Sequence, residues 1–271
     1  MIENILWLAL GLLIAASLIP TERWFKFTLA GAGWSFFSVH WALQWQHYAD
    51  LGDYVNVLLT VLAAIGCLIL GFFLVKQDRR IMKDINGISV IRSIFMATTA
   101  SAVGGISYFA FSEIMPLNQW LITTVTDQTV WLGSVFGIVI TRLDTNLISI
   151  NGYRVEIILA CTAIESIALF MGIIASAHAP FDRTVKAFIV SVPIIYALNL
   201  IRNVFVVDAY AMNWFGDPEL SFYVAHTIIA KAGSLVALFV IAYAVLKILP
   251  EIIDMIDGMI NLFRGIFRNA G

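Results

Sequence analysis

Five side chains of the kinds that carry out acyl transfer lie in otherwise apolar stretches of the C-terminal half: Cys161, Glu165, Arg202, His226 and Lys231. A cysteine attacks an amide carbonyl as its thiolate, and a cation beside a thiol favours that form. An imidazole donates a proton to the leaving amine and accepts one from the next nucleophile. A guanidinium keeps its charge, and its forked donors suit an oxyanion or a scissile carbonyl. Ionisable groups inside an apolar span cost at least ~2.5–3.5 kcal/mol each, so each marks a functional site by default. Cys67, 94 residues before Cys161, has no polar neighbour and reads as a small hydrophobe. The two cysteines form no CxxC pair, and the chain has no HExxH motif, carboxylate cluster or phosphate-binding glycine loop. No metal or organic cofactor is therefore expected.

The elements that must position these groups are membrane helices. Of the 271 residues, 61% are apolar and 13% charged, and the mean hydropathy is +0.90. A soluble fold of this size cannot hide that much apolar surface. A net charge of −2 argues against a nucleic-acid binder. A bilayer core of roughly 30 Å needs about 20 apolar residues per helix. Seven stretches qualify, at about 4–19, 27–43, 55–75, 93–111, 157–177, 187–206 and 221–246. The expected fold is an all-α, seven-span membrane protein in a single domain spanning 1–271.

Orientation follows from lysine and arginine in short loops. Twelve of the 16 basic residues fall in the loops at 20–26, 76–92 and 178–186 and in the C-terminal tail. Arg142 and Arg154 are the basic residues of the opposite loops. The N-terminus is thus expected outside and the C-terminus cytoplasmic. The tail at 250–271 is amphipathic, with Ile252, Ile256, Met259, Ile260, Phe263 and Phe267 at helical spacing, and is expected to lie in the cytoplasmic interface.

The longest loop, about 112–156, is expected outside. It carries an apolar run from Trp131 to Ile140, too short to span, which predicts a short re-entrant or interfacial helix. Asn151-Gly152 between two alternating runs predicts a β-hairpin, because a type I′ turn needs positive φ at both central residues. This hairpin leads straight into the span carrying Cys161. Tyr153 and Arg154, on its second strand, can face a peptide or a lipid phosphate.

Depth brings the chemistry together. Cys161, Arg202 and His226 each lie about five residues from the outer end of their span, roughly 7 Å below the surface at 1.5 Å per residue. A thiol, a guanidinium and an imidazole on consecutive helices thus share one layer. Glu165 is expected one turn below Cys161 on the same face, paired with Lys231 across spans 5 and 7. Asn199, three residues before Arg202, can share its face and orient the guanidinium. Thr162 and Ser166 read as helix-packing residues. His40 and His47 read as interfacial, and His178 as a loop residue.

LACTAIESIALF around Cys161, ALNLIRNVFVV around Arg202 and FYVAHTIIAKAGSL around His226 resemble the exosortase/archaeosortase superfamily. The order Cys, Arg, His over about 153–236 is most similar to its archaeosortase branch. The resemblance implies a membrane cysteine transpeptidase. Such enzymes recognise a C-terminal sorting signal on surface proteins: a short Pro-Gly-Phe-type motif, a transmembrane helix and a basic tail. They are expected to cleave near the motif outside the membrane and transfer the protein to a lipid of the outer leaflet. Carried onto this chain, Cys161 is the nucleophile, Arg202 the stabilising cation and His226 the acid/base. Two other classes fit the polar residues without the resemblance: a small transporter using the intramembrane Arg, His, Glu and Lys, and a non-catalytic scaffold for envelope assembly.

Overall fold

The computed structural model describes residues 2–20, 24–50, 52–76 and 85–269. The chain is mostly helical. Helices α1 (Ile2–Leu18), α2 (Trp24–Asp50), α3 (Tyr54–Lys76), α4 (Ile85–Glu113) and α5 (Met115–Val135) come first. Strands β1 (Thr141–Arg142), β2 (Leu147–Ile150) and β3 (Tyr153–Glu156) follow. A 3₁₀ turn (Leu159–Cys161) leads to α6 (Ile164–Ser176), α7 (Phe181–Ile189) and α8 (Val192–Ala211). The last part is α9 (Pro218–Phe222), a π-helix (Tyr223–Ala230), α10 (Lys231–Ile248) and α11 (Glu251–Asn269).

Six of the seven apolar stretches are helical nearly throughout, and the fifth, 157–177, becomes α-helix only at Ile164. Four helical segments are long and apolar enough to cross a membrane: Tyr54–Lys76, Ser89–Glu113, Phe181–Ala211 and Pro218–Ile248. Glu3–Leu18 and Ile164–Ser176 are shorter apolar helices. Four clear spans thus replace the expected seven as what length and composition establish. Of the basic residues behind the orientation argument, Arg23, Arg79, Arg80 and Lys83 lie outside the described residues, as does the Arg268 side chain.

The chain divides into two compact units. The first comprises Met1–Ile106, Ala175–His178 and Pro250–Gly271. Its helices α2 and α3 cross where Gly31 meets Gly71. A β-carbon on Gly31 would come within 2.7 Å of the Val75 side chain, so only glycine permits the approach. Trp34 Nε1 donates to Thr98 Oγ1 at 3.0 Å, and Ser38 Oγ to the Ala64 carbonyl at 2.7 Å, so polar groups inside this unit have partners. The tail is a helix, as its pattern requires. It is more than a surface anchor, however: Ile252 and Leu262 are buried, and Ser93 Oγ donates to the Asp254 carbonyl at 3.2 Å. The Phe267 side chain lies outside the described residues.

The second unit comprises Ser107–Ile174 and Ala179–Leu249 and holds all the candidate site residues. Its core joins Leu121 and Val125 of α5, Ile148 and Ile150 of β2, Ile157, Ile164, and Leu200 and Val207 of α8. The 112–156 region departs from expectation. Its helix is α5, 21 residues long, with Pro116 in its first turn, and the Trp131–Ile140 run supplies only its end and the following turn at Gly137. The polar residues of α5 diluted its apolar signal, while Pro116 needs no amide partner at a helix start. The hairpin is present: Asn151 (φ 50°) and Gly152 (φ 85°) both take positive φ, and Ile150 pairs with Tyr153. A third strand, β1, pairs antiparallel with β2, giving the order β1-β2-β3. Strand β3 is therefore an edge.

Candidate active site

Cys161 is not on a helix. The helix expected from 157 begins only at Ile164, because Ala163 takes φ +61°. That left-handed conformation costs a non-glycine residue roughly 1–2 kcal/mol, and such residues cluster at functional sites. Cys161 ends the 3₁₀ turn, half-buried, with its amide donating to the Ile158 carbonyl at 2.8 Å. The break takes the Cys161 carbonyl out of any helical ladder. Two side chains of α8 replace the lost donor. Asn199 Nδ2 donates to this carbonyl at 2.7 Å and Asn203 Nδ2 at 3.0 Å, filling both lone pairs.

This clamp corrects the expectation for Asn199, whose side-chain amide holds the Cys161 backbone and not the guanidinium. Asn203 was not singled out from sequence. Its signal was present, an amide four residues after Asn199 and hence on the same helix face, but the carbonyl it meets exists only because the Cys161 helix breaks. Removing either amide leaves one donor and is expected to cost about 1 kcal/mol. The double variant Asn199→Ala/Asn203→Ala leaves a half-buried carbonyl without either donor and should cost more than the two singles together, as thermal unfolding of the four proteins would measure.

Arg202 lies between the two asparagines on α8, so one helix holds both the cysteine backbone and the guanidinium. Its Nη2 is 3.5 Å from His226 Nε2, a contact at the limit of hydrogen bonding. Arginine only donates, so Nε2 is the accepting nitrogen in this arrangement. Arg202 Nε is buried and has no hydrogen-bond partner. His226 sits in the π-helix, its ring stacked on Phe222 at 5.0 Å and 7°. The widened turn was not foreseen, and such segments recur at functional sites. Asp217, whose side chain accepts from the Leu220 amide at 2.8 Å, starts this last helical segment.

Glu165 and Lys231 do not form the expected bridge. Both are exposed, and no ion pair joins them among the described residues. Glu165 is also not on a common helix face with Cys161, because the break at Ala163 lies between them. Tyr153 is packed edge-on against Tyr210 at 5.1 Å and contributes to the core, whereas Arg154 is exposed on the other face of β3. Asn151 Nδ2 lies 3.4 Å from Met212 Sδ, so the hairpin tip sits at the C-terminal end of α8. Cys67 is buried, as its surroundings require. His40, expected at the interface, is also buried, stacked on Phe37.

Beside the clamp lies a cavity of about 450 Å³. Leu159, Ala160 and Ala163, which flank Cys161, line it together with Glu165, Arg202 and residues of α8 and α10.

Comparison with known proteins places these features in context. The model of a family described as transmembrane exosortase matches residues 5–246. Archaeosortase A of Haloferax volcanii is 28% identical over 96% of this chain and 93% of its own length. Archaeosortase A of Natronomonas pharaonis is 25% identical over 86% of this chain and 79% of its own. No solved structure matches.

Proposed function

Because this chain belongs to the transmembrane exosortase family, we propose that it is a cysteine transpeptidase that cleaves C-terminal sorting signals of exported surface proteins and passes them to a membrane lipid. The carrying observation is the twice-clamped Cys161, two residues before the left-handed Ala163, held by the same helix that presents Arg202 to His226. A merely structural cysteine needs no such support.

In this mechanism the Cys161 thiol proton passes to His226, and Sγ attacks the scissile carbonyl as the thiolate. The C–N bond breaks, and the leaving amine takes its proton from His226. Arg202 supports the thiolate before attack and the oxyanion that follows. The buried, unpartnered Nε supplies a donor already free of competitors, so no internal bond has to break as charge develops. A head-group amine or hydroxyl then attacks the thioester, the C–S bond breaks, and the proton passes through His226 back to sulfur. All seven apolar helical stretches cross the membrane in this reading, with the N-terminus and the active site outside and the C-terminus cytoplasmic. Asn199 acts by holding Cys161. Glu165 and Lys231, exposed and unpaired with each other, set the field at the edge of the site.

The substrate's extended motif adds to the edge of β3, whose residues run directly into the cysteine turn. Backbone pairing at such an edge binds with little dependence on sequence. Replacing Asn151-Gly152 by Val-Val forces β-branched residues into positive φ. Substrate processing should be lost while Cys161 still reacts with iodoacetamide. Loss of both together would mean general misfolding, and unchanged processing would take the hairpin out of substrate capture.

The deciding experiment is mass spectrometry of the C-terminus of a surface protein bearing such a signal, produced with and without this enzyme. A shortened C-terminus carrying a lipid mass supports the proposal. An intact signal in both samples overturns it.

A further inference from the structure

The cavity beside Cys161 has a shape of its own. On α8 its wall runs from Phe205 to Ile195, ten residues or about 15 Å, and opposite from Gly233 to Ile241 of α10, about 12 Å, with Ile229 and Ala230 of the π-helix above. Half of a bilayer core is also about 15 Å. The deep end is closed by Ile195 and Ile241, both buried. The sides are open: Leu198, Ile201 and Ile229 are 40%, 47% and 41% exposed. The floor of the groove is made of small residues, Gly233 and Ala237 among them, and a β-carbon added to Gly233 would meet no atom within 4 Å. Arg202, half-buried, is the cation of the lining.

Two apolar partners are available inside a membrane: a helix of the substrate and a lipid chain. A spanning helix is about 30 Å long, roughly twice the length of the groove wall on α8. It would also have to continue past the level at which Ile195 and Ile241 close the groove. A single lipid chain ends within one leaflet and does not. Arg202 complements an anionic head group, and Glu165, which also lines the cavity, disfavours one that carries more than a single negative charge.

We propose that this groove is the binding site of one phosphodiester lipid of the leaflet nearest Cys161, its phosphate at Arg202 and a chain lying along Leu198, Gly233 and Ala237. The proposal rests on the transpeptidase reading in one respect only: such a lipid is then the acceptor, with its head group at the level of the thioester. Bound this way, the acceptor is presented at a fixed depth, which converts a two-dimensional encounter into a local one.

The test uses the full chain in phosphatidylcholine vesicles containing a phosphatidylcholine with a diazirine midway along one chain. After illumination, adducts mapped by mass spectrometry are expected to concentrate on Leu198, Ala237 and Leu238, above the level on Leu235, Val236 and Phe239. Gly233→Leu fills open space and should remove the first group and leave the second. In the same variant, transfer to lipid should fall by about tenfold or more, while hydrolysed product and iodoacetamide labelling of Cys161 stay at the parent level. Adducts spread evenly over both groups, or transfer unchanged in Gly233→Leu, would overturn the proposal. Displacement of the groove adducts by a synthetic substrate transmembrane peptide, with that peptide's own photo-adducts on Ala237, would assign the groove to the substrate and overturn it equally. If groove adducts form and Gly233→Leu removes them but the parent protein shows no thioester, the lipid site stands and the transpeptidase reading falls.

Discussion

Cys161→Ala is expected to abolish processing altogether while the protein remains folded and membrane-inserted. Both side-chain hydrogen bonds that anchor residue 161 end on its backbone carbonyl, which alanine keeps. Alanine also tolerates the 3₁₀ turn, and a half-buried sulfur leaves only a small void. Stability should therefore move by no more than about 1 kcal/mol. Without the sulfur no thioester forms, and the substrate should retain its intact C-terminus in mass spectra. Cys67→Ala serves as the control. Its thiol is buried in the first unit, so the change perturbs packing and leaves processing in place. Substantial processing by Cys161→Ala would remove the cysteine mechanism outright.

Arg202→Lys should be nearly as damaging despite its conserved charge. The guanidinium presents donors in two directions, Nη2 toward His226 and a buried Nε that has no hydrogen-bond partner. One ammonium on a flexible stem cannot hold both. Loss of a single oxyanion donor costs about 10²–10³ in rate, or roughly 2.7–4 kcal/mol, in acyl-transfer enzymes. Single-turnover measurement of thioester formation should show a fall of this size, with alkylation of Cys161 by iodoacetamide still proceeding. Activity within a few-fold of the parent would mean that Arg202 supplies only a field.

Composition and spacing determined a good deal about this protein. An apolar fraction of 61% demands burial in lipid, and helix is the structure that satisfies backbone groups there, so most of the helical stretches were readable along the chain, four of them long and apolar enough to cross a membrane. Asn151-Gly152 announced its turn because few residue pairs accept two positive φ values. Cys161, Arg202 and His226 stood out because charge and reactivity are costly in such surroundings. The features that only the tertiary structure decided are those in which a local rule yields to a distant partner. Nothing in LACTAIES breaks a helix by propensity, yet the chain breaks at Ala163, and Asn199 and Asn203, some 40 residues on, provide the donors that replace the lost helical bond. The same break carries Glu165 away from the face of Cys161 and undoes the pairing that helical spacing suggested for it. Likewise α5 was hidden by its own polar residues until the inner face of the sheet covered its apolar side. Periodicity reports what one segment prefers alone. The left-handed turn at Ala163 is held in place by contacts between segments, and those come into being only when the helices meet.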